Sequence, residues 1–259
     1  MTAYLGTKSL HFFSIFYMSL LTTTIDAIHL LLSGDADLWR IIWLSLRTTF
    51  MSLLIASPIA VLAGYMLAVS QFTGRRVLIW LVQTALSLPT VLIGLLLYLL
   101  LSRQGPLGEL GWLFSPTGIV FGQVLIVLPV LMAFSMTAVQ AIDTGIAETA
   151  ITLGAGRWRC MWTVLREARF GLIAALISGF GRVISEVGCA MMVGGNIEGA
   201  TRTITTAIAL QSSKGEFAQG IALGVVLLLL ALLMNAALML VQGDGKIKSA
   251  DVHFARPLR

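Results

Sequence analysis

The 259-residue chain is 58% hydrophobic and only 11% charged, whereas soluble domains average roughly 25% charged residues. Together with a mean hydropathy of +0.93, this composition excludes a water-soluble protein and predicts an all-α integral membrane protein. The formal net charge of +5 could suggest a nucleic-acid partner, but an excess of Lys and Arg in a membrane protein is usually a topology signal.

The N-terminal segment, residues 1–37, precedes the predicted membrane domain. Residues 10–25 are apolar, but they are short for a span and include three consecutive threonines. Residues 26–33 (DAIHLLLS) are typical of a short amphipathic helix that rests at the membrane interface. Two alternatives stay open here: a sixth span that begins near Leu10, and a true start of the chain at Met18.

Five hydrophobic runs between residues 38 and 243 are each long enough to cross a bilayer, which takes about 20 residues. Each interior is predicted to be helical, because a backbone in lipid must satisfy its own hydrogen bonds. Pro58, Pro89 and Pro129 interrupt the first three runs, and a proline bends a helix. Such bends suit helices that line a path and suit simple packing equally well. The predicted spans are residues 41–69, 77–101, 117–139, 171–193 and 220–241.

Basic residues alternate between the connections. The connections after the first, third and fifth spans are rich in Lys and Arg, and those after the second and fourth are poor. The positive-inside rule therefore places loops 102–116 and 194–219 outside and the tail, residues 244–259, in the cytoplasm. This alternation also removes the nucleic-acid interpretation. The residues on the rich side are Arg75, Arg76, Arg157, Arg159, Arg166, Arg169, Lys246, Lys248, Arg256 and Arg259; those on the poor side are Arg103, Arg202 and Lys214.

A charged segment with helical character follows the third span. Asp143 and Thr144 can cap a first helix, and a second helix from about residue 157 to 169 alternates apolar residues with arginines. Gly154 and Gly156 lie between the two helices and permit a sharp change of direction. The sequence therefore predicts two short helices that project from the cytoplasmic side, with an apolar stripe packed on the spans.

The same segment resembles the EAA loop of ABC-importer permeases. The family pattern is Glu-Ala-Ala, three residues, Gly, nine residues, Ile, any residue, Leu-Pro. Here Glu-Thr-Ala begins at residue 148, the glycine is Gly154, and Val164 follows after nine residues. Thr149 replaces an alanine, and Arg166 and Glu167 replace the Leu-Pro pair.

This resemblance implies a type I ABC-importer permease fold with about five core transmembrane helices. The coupling helix would lie within loop 139–170 and insert into a cytoplasmic ATPase dimer. ATP and Mg would be bound by that partner, because the chain has no phosphate-binding loop of its own, and no cofactor, metal or catalytic residue is expected here. One chain supplies half a pathway, which implies a homodimer. The residues implied in ATPase coupling are Glu148, Thr149, Ala150, Gly154 and Arg157.

Two charges in the fourth span, Arg182 and Glu186, lie four residues apart and hence on one face of a helix. Charges at membrane depth are costly and are usually paired or line a pathway. Two interpretations stay open: a mutual ion pair that locks the helix against its neighbours, and an Arg182 side chain that favours an anion beside the translocation path.

Residues 164–220 resemble permeases of the molybdate, sulfate and tungstate group, and look most like its tungstate branch. The motifs that carry this resemblance are ISEVG, MMVGGNI and TRTITTAIAL. The resemblance implies oxyanion import by alternating access across a prokaryotic inner membrane. An extracytoplasmic binding protein would dock at loops 102–116 and 194–219. The candidate path or gate residues are Arg182, Glu186, Gly188, Gly194 and Asn196.

Two other classes of protein fit less well. An intramembrane enzyme would need catalytic groups at membrane depth, but His11, His29 and His253 are scattered near the ends of the chain. A secondary transporter or channel would explain the spans without an ATPase. It would leave the charged segment 148–169 without a purpose, and the five spans show no obvious twofold repeat.

Overall fold

The computed structural model describes residues 33–242, together with Ile25 and His29. The alternatives for the N-terminal segment and the prediction for the tail therefore lie outside the described residues. Within the described part, regular structure is helical, with ten α-helices and one 3₁₀ turn at Gly108–Leu110. The helices are α1 Ala36–Val69, α2 Arg75–Leu86, α3 Thr90–Leu101, α4 Pro116–Gln140, α5 Thr144–Thr152, α6 Arg157–Glu167, α7 Arg169–Ile184, α8 Gly188–Gly194, α9 Ile204–Lys214 and α10 Phe217–Gln242.

Three single helices, α1, α4 and α10, are long and apolar enough to cross a membrane. Two further crossings are possible if each of two bent pairs is one span: α2 with α3, and α7 with α8. The predicted number of spans, about five, corresponds to the count in which each bent pair is one span. The first crossing is longer than expected, since α1 has 34 residues and measures about 51 Å, against about 30 Å of hydrocarbon. The prolines Pro58 and Pro129 lie inside α1 and α4.

The second predicted span is broken rather than kinked. Helices α2 and α3 meet at 99° across the three residues that end at Pro89. Proline has no N–H to donate, and it disfavours helical backbone at the residue before it, which is Leu88. The last turn of α2 is closed by a short bond from Ser87 N–H to the Thr84 carbonyl (3.0 Å). Pro89 then stands at the N-cap of α3. The prediction of a single bent helix was wrong here, because the chain restarts after the proline in a new direction.

The fourth predicted span is also broken, and no proline marks the place. Helices α7 and α8 meet at 59° across residues 185–187. Ser185 Oγ donates to the Gly181 carbonyl (2.8 Å), which closes the end of α7. The N–H of Cys189, in the first turn of α8, donates to Glu186 Oε1 (3.1 Å). Side-chain bonds therefore satisfy part of the backbone that the break leaves open, as a membrane interior requires.

The centre of the molecule is formed by α1, α4 and α7. Alanines on α1 let the larger side chains of α4 and α7 approach closely, and one continuous buried cluster joins the three helices. Smaller clusters attach α9 and α10 to the start of α1, and α3 and α8 to α4. The central cluster consists of Leu53, Ala56, Ala60, Val127, Leu131, Phe180, Val183 and Ile184.

Helices α1 and α4 approach each other closely at Gly64. A Cβ atom added there would lie 2.8 Å from Ser135 Cβ and 2.9 Å from the Met132 carbonyl oxygen. Part of this obstruction is backbone, which cannot move aside as a flexible side chain would. Gly64 thus sets the spacing of the two helices on which the other spans pack.

We expect Gly64→Ala to lower the free energy of unfolding by about 1–3 kcal/mol, because a methyl group must be forced into a close-packed contact. The matched control is Gly224→Ala on α10, where nothing lies within 4 Å of the added Cβ. The control should change stability by less than about 0.5 kcal/mol. Denaturant unfolding of the purified protein in detergent measures both, and equal effects would contradict this account of α1–α4 packing.

Candidate functional site

The segment from α5 to α6 forms a helical elbow, residues 144–167. Asp143 caps its first helix by accepting a hydrogen bond from Gly145 N–H (2.9 Å). The helix ends at Thr152, and Gly154, two residues later, has a φ of +81° in the left-handed region. Gly154 N–H donates to the Ile151 carbonyl and Ala155 N–H to the Ala150 carbonyl, both at 2.9 Å. These two bonds form a Schellman motif, in which glycine is favoured because it has no Cβ. The predicted glycine turn is confirmed.

The elbow is anchored to the spans by a buried cluster of its own. Val164 and Leu165 of α6 pack with Val139, at the end of α4, and with Ala168. Tyr65 and other side chains from the last turns of α1 pack against the same cluster. A movement of the elbow would therefore be carried directly to α1 and α4, because close-packed interiors transmit strain.

Large apolar side chains at the tip of the elbow are exposed. Leu153 is 82% exposed and Ile151 is 61% exposed, although both are large and apolar. Ala150 is buried, whereas Glu148 and Thr149 are exposed on α5. Exposed apolar residues at a rigid tip are typical of a contact surface for another protein.

The structure brings the predicted coupling residues together on this elbow. Glu148, Thr149 and Ala150 share one turn of α5, and Arg157 is exposed at the first position of α6. Their contact with an ATPase stays a prediction. The exposed residue Leu153 was not singled out from the sequence, although its place beside Gly154 in a turn could have indicated it.

A second constellation lies at the break between α7 and α8, and we call it the hinge junction: Ser45, Arg182, Glu186, Ile204 and Thr205. Arg182 Nη1 lies 3.0 Å from Glu186 Oε2, so the predicted ion pair is present. The Glu186 side chain is 3% exposed and that of Arg182 is 37% exposed. The carboxylate is therefore sealed inside the protein while the guanidinium reaches the surface.

Hydrogen bonds extend the hinge junction to two more helices. Thr205 Oγ1, at the start of α9, donates to the Glu186 carbonyl (2.7 Å). The N–H of Ile204, its neighbour, donates to Ser45 Oγ on α1 (2.8 Å). The hinge junction thus connects α1, α7, α8 and α9 through hydrogen bonds. Ser45 and Thr205 were missed by sequence reasoning, because serine and threonine are common in membrane helices and carry no local signal.

The other path candidates, Gly188, Gly194 and Asn196, lie at close packing contacts or at a turn. A Cβ on Gly188 would lie 2.6 Å from Val91 Cγ2, and one on Gly194 would lie 2.9 Å from Ile119 Cδ1. Both glycines therefore allow α8 to pack closely on its neighbours. Asn196, with a φ of +50°, turns the chain out of α8. A role of these three residues in a gate stays a prediction. Among the described residues, no group of three or more His, Cys, Asp or Glu could hold a metal ion.

We expect Arg182→Gln to destabilise the protein by about 1–3 kcal/mol, because it leaves the buried Glu186 carboxylate without its charged partner. Arg182→Gln combined with Glu186→Gln should be more stable than the single variant, since a neutral amide can still accept from Cys189 N–H. Arg40→Gln is the control: Arg40 and Asp37 form an exposed pair at 3.7 Å, and such a pair contributes at most about 1 kcal/mol. Thermal unfolding in detergent measures all three, and a double variant less stable than Arg182→Gln would contradict the pairing.

Comparison with known sequences identifies relatives over most of the chain. The profile of a family described as "Binding-protein-dependent transport system inner membrane component" matches residues 56–243. The tungstate uptake system permease protein TupB of Peptoclostridium acidaminophilum is 35% identical, over 84% of this chain and 96% of the relative. TupB of Campylobacter jejuni is 38% identical, over 81% and 88%. The molybdenum transport system permease protein ModB of Escherichia coli is 29% identical, over 69% and 82%.

Solved structures agree on the fold. A bacterial ABC transporter that imports the acidic polysaccharide alginate superposes with a TM-score of 0.65 at 20% identity, covering 91% of this chain and 93% of the other. The predicted all-α fold of a type I ABC-importer permease is therefore confirmed. Because the family profile covers most of the chain and two relatives exceed 30% identity, this protein belongs to the inner membrane components of binding-protein-dependent transport systems, which are transport subunits and not enzymes.

Proposed function

We propose that this chain is the permease of an ATP-driven importer that carries tungstate across a prokaryotic inner membrane. Two copies would enclose the path, a cytoplasmic ATPase dimer would supply the energy, and an extracytoplasmic binding protein would deliver the oxyanion. ATP and Mg would be bound by the ATPase, and no chemical change would occur on the substrate.

The observation that carries this proposal is the elbow. Its tip exposes Ile151 and Leu153, while its base is fixed to α1 and α4 through a buried cluster. A partner that grips the tip can therefore pull on the spans. The exposed Glu148 carboxylate offers a charge-assisted hydrogen bond to a basic group of that partner.

The orientation follows from the distribution of charge. The elbow carries Arg157, Arg159 and Arg166, and the first two residues of α2 are Arg75 and Arg76. By the positive-inside rule these segments face the cytoplasm, as does the C-terminus. The loop after α3 and the region between α8 and α10 then face outside, where the binding protein would dock.

One face of α7 is suited to line a path between two copies. Ser178, Gly181 and Ser185 are exposed on α7, and Arg182 is partly exposed beside them. The open surface of α10, in contrast, presents leucines, as a lipid-facing helix does. A small, polar and positively charged face within a span supports a water-filled path for an anion. The exposed leucines of α10 are Leu228, Leu229, Leu232, Leu233 and Leu240.

The choice of tungstate is supported by the two TupB relatives, which are more similar to this chain than the E. coli molybdenum permease is. Molybdate is the second candidate, because the ModB relative also covers most of the chain. Both are divalent oxyanions of similar size, so the bound anion would be chosen mainly by the external binding protein. The permease would need only a path that tolerates negative charge.

The mechanism is alternating access. Closure of the ATPase dimer on ATP moves the two elbows together, and the packed base of each elbow carries this movement to α1, α4 and α7. The path then opens to the outside and receives the oxyanion from the docked binding protein. Hydrolysis of ATP releases the elbows and returns the path to its inward-facing state.

The proposed contact between the elbow and the ATPase is tested by the variant Gly154→Asp. The variant places a charged side chain in the open space beside the tip and costs roughly 1 kcal/mol of backbone strain, because φ is positive. We expect normal amounts of protein in the membrane but loss of uptake and of substrate-stimulated ATP hydrolysis. Normal uptake would exclude this contact.

Two further glycine variants separate the effect of the added charge from the effect of backbone strain. Gly156→Ala is the matched control, since Gly156 has a negative φ and nothing lies within 4 Å of an added Cβ. It should retain uptake. Gly154→Ala introduces the strain without the charge, so it should retain most of the uptake if the aspartate acts by disturbing the ATPase contact.

The substrate is tested with the complete complex reconstituted in vesicles, in which this chain is combined with its partner ATPase and binding protein. We expect tungstate to stimulate ATP hydrolysis and to accumulate inside, with a weaker response to molybdate and none to phosphate. The mass of the complex should correspond to an assembly that contains two copies of this chain together with its partner subunits. Stimulation by none of the oxyanions would reject the substrate class. Stronger stimulation by molybdate than by tungstate would make molybdate the preferred substrate.

The path is tested in the same assay with the double variant of Arg182→Gln and Glu186→Gln. If α7 lines the path, this variant should assemble and hydrolyse ATP but import the anion several-fold more slowly, because the path has lost the positive charge of Arg182. Unchanged uptake would assign Arg182 to the ion pair alone.

A further inference from the structure

A groove of about 700 Å³ lies between the cytoplasmic end of α1 and the elbow. Ligand sites in proteins are typically about 300–1,000 Å³, so the groove has the volume of one. Its wall is mainly apolar, and the only charged side chain among the lining residues is Arg157. The lining residues are Tyr65, Val69, Ser70, Ile151, Ala155, Gly156, Arg157, Trp158, Cys160 and Met161.

Arg157 has no partner within the described part of the chain. Its side chain is exposed at the start of α6, and it makes no hydrogen bond or ion pair with any described residue. Arg75, by comparison, folds back onto the end of α1, where its Nε donates to the Leu67 carbonyl (2.7 Å). A free guanidinium at the edge of an apolar groove is suited to an amphiphile with a negative head.

Helix α6 has the composition of an interfacial helix. Trp158 is 78% exposed and Trp162 is 68% exposed, and the two lie on one side of the helix. Arg159 and Arg166 follow on the next face, and Val164 on the opposite side is buried. Tryptophan concentrates at the boundary between lipid and water, so the exposed face of α6 is suited to the level of the headgroups.

We propose that this groove binds one anionic phospholipid of the inner leaflet, with its phosphate at Arg157 and an acyl chain along Tyr65, Val69 and Met161. The proposal rests on the orientation given above, in which the elbow faces the cytoplasm. Of the two exposed apolar residues at the tip, Ile151 lines the groove, whereas Leu153 does not and stays available for the ATPase. Arg157 then serves the lipid and not the ATPase. A lipid held here braces the elbow against α1, so its occupancy adjusts how firmly elbow movement reaches the span.

The test is native mass spectrometry of the full-length protein, purified in detergent without the ATPase and supplied with phosphatidylglycerol and phosphatidylcholine in equal amounts. We expect one phosphatidylglycerol retained per chain in preference to phosphatidylcholine. Arg157→Gln should lower this retention about fivefold, the factor that one arginine contributes near an anionic surface. Arg159→Gln is the matched control, because it removes the same charge from the same helix but does not line the groove. It should retain the lipid.

A second measurement uses phosphatidylglycerol with brominated acyl chains, which quenches nearby tryptophan fluorescence. The wild-type protein should lose more fluorescence than Trp158→Phe, and addition of the ATPase should leave this difference unchanged. Equal retention by Arg157→Gln and Arg159→Gln, or no preference for phosphatidylglycerol, would overturn the lipid site. Loss of the quenching difference when the ATPase is added would assign the groove to the ATPase. Neither readout depends on transport, so a failure here leaves the Gly154 and uptake tests standing.

Discussion

A backbone inside a membrane must find hydrogen-bond partners within the protein, and the break between α7 and α8 is where this requirement has its largest consequence. The chain stops one helix and starts another at Glu186, a buried carboxylate. That residue accepts from Arg182 and from Cys189 N–H through its side chain, and from Thr205 through its carbonyl. The break is tolerable only because these partners converge on it. The same convergence joins four helices at one point.

Helix α7 connects this hinge junction to the elbow. Ala168 ends α6 and begins α7, and α7 then runs 16 residues to the junction, a length of about 24 Å. One end of α7 thus lies at the elbow, where an ATPase would act. The other end lies at the hinge junction, where α7 meets α1, α8 and α9. The central cluster around α7 is close-packed, a property that would let α7 transmit a tilt imposed at the elbow.

The sequence predicted some elements well and others poorly, for identifiable reasons. The glycine turn at Gly154 and the cap at Asp143 are local features, and both were found in the structure as expected. The start of α9 at Ile204 could not be predicted locally, since Thr201 upstream of it accepts from Ile197 N–H and donates to the Gly194 carbonyl. The break at Pro89 was expected as a kink, since a proline signals an interruption but not the angle at which the chain continues.

The apolar runs long enough to cross a membrane and the presence of a helical elbow were determined by the sequence alone. Lipid demands long apolar runs, and turn chemistry acts within a few residues, so these features can be read locally. The break at Glu186, the open face of α7 and the groove beside Arg157 were decided only by the tertiary structure. They depend on partners distant in the chain, such as Ile204 bonded to Ser45 across 159 residues. No local pattern specifies which distant side chain will supply such a bond.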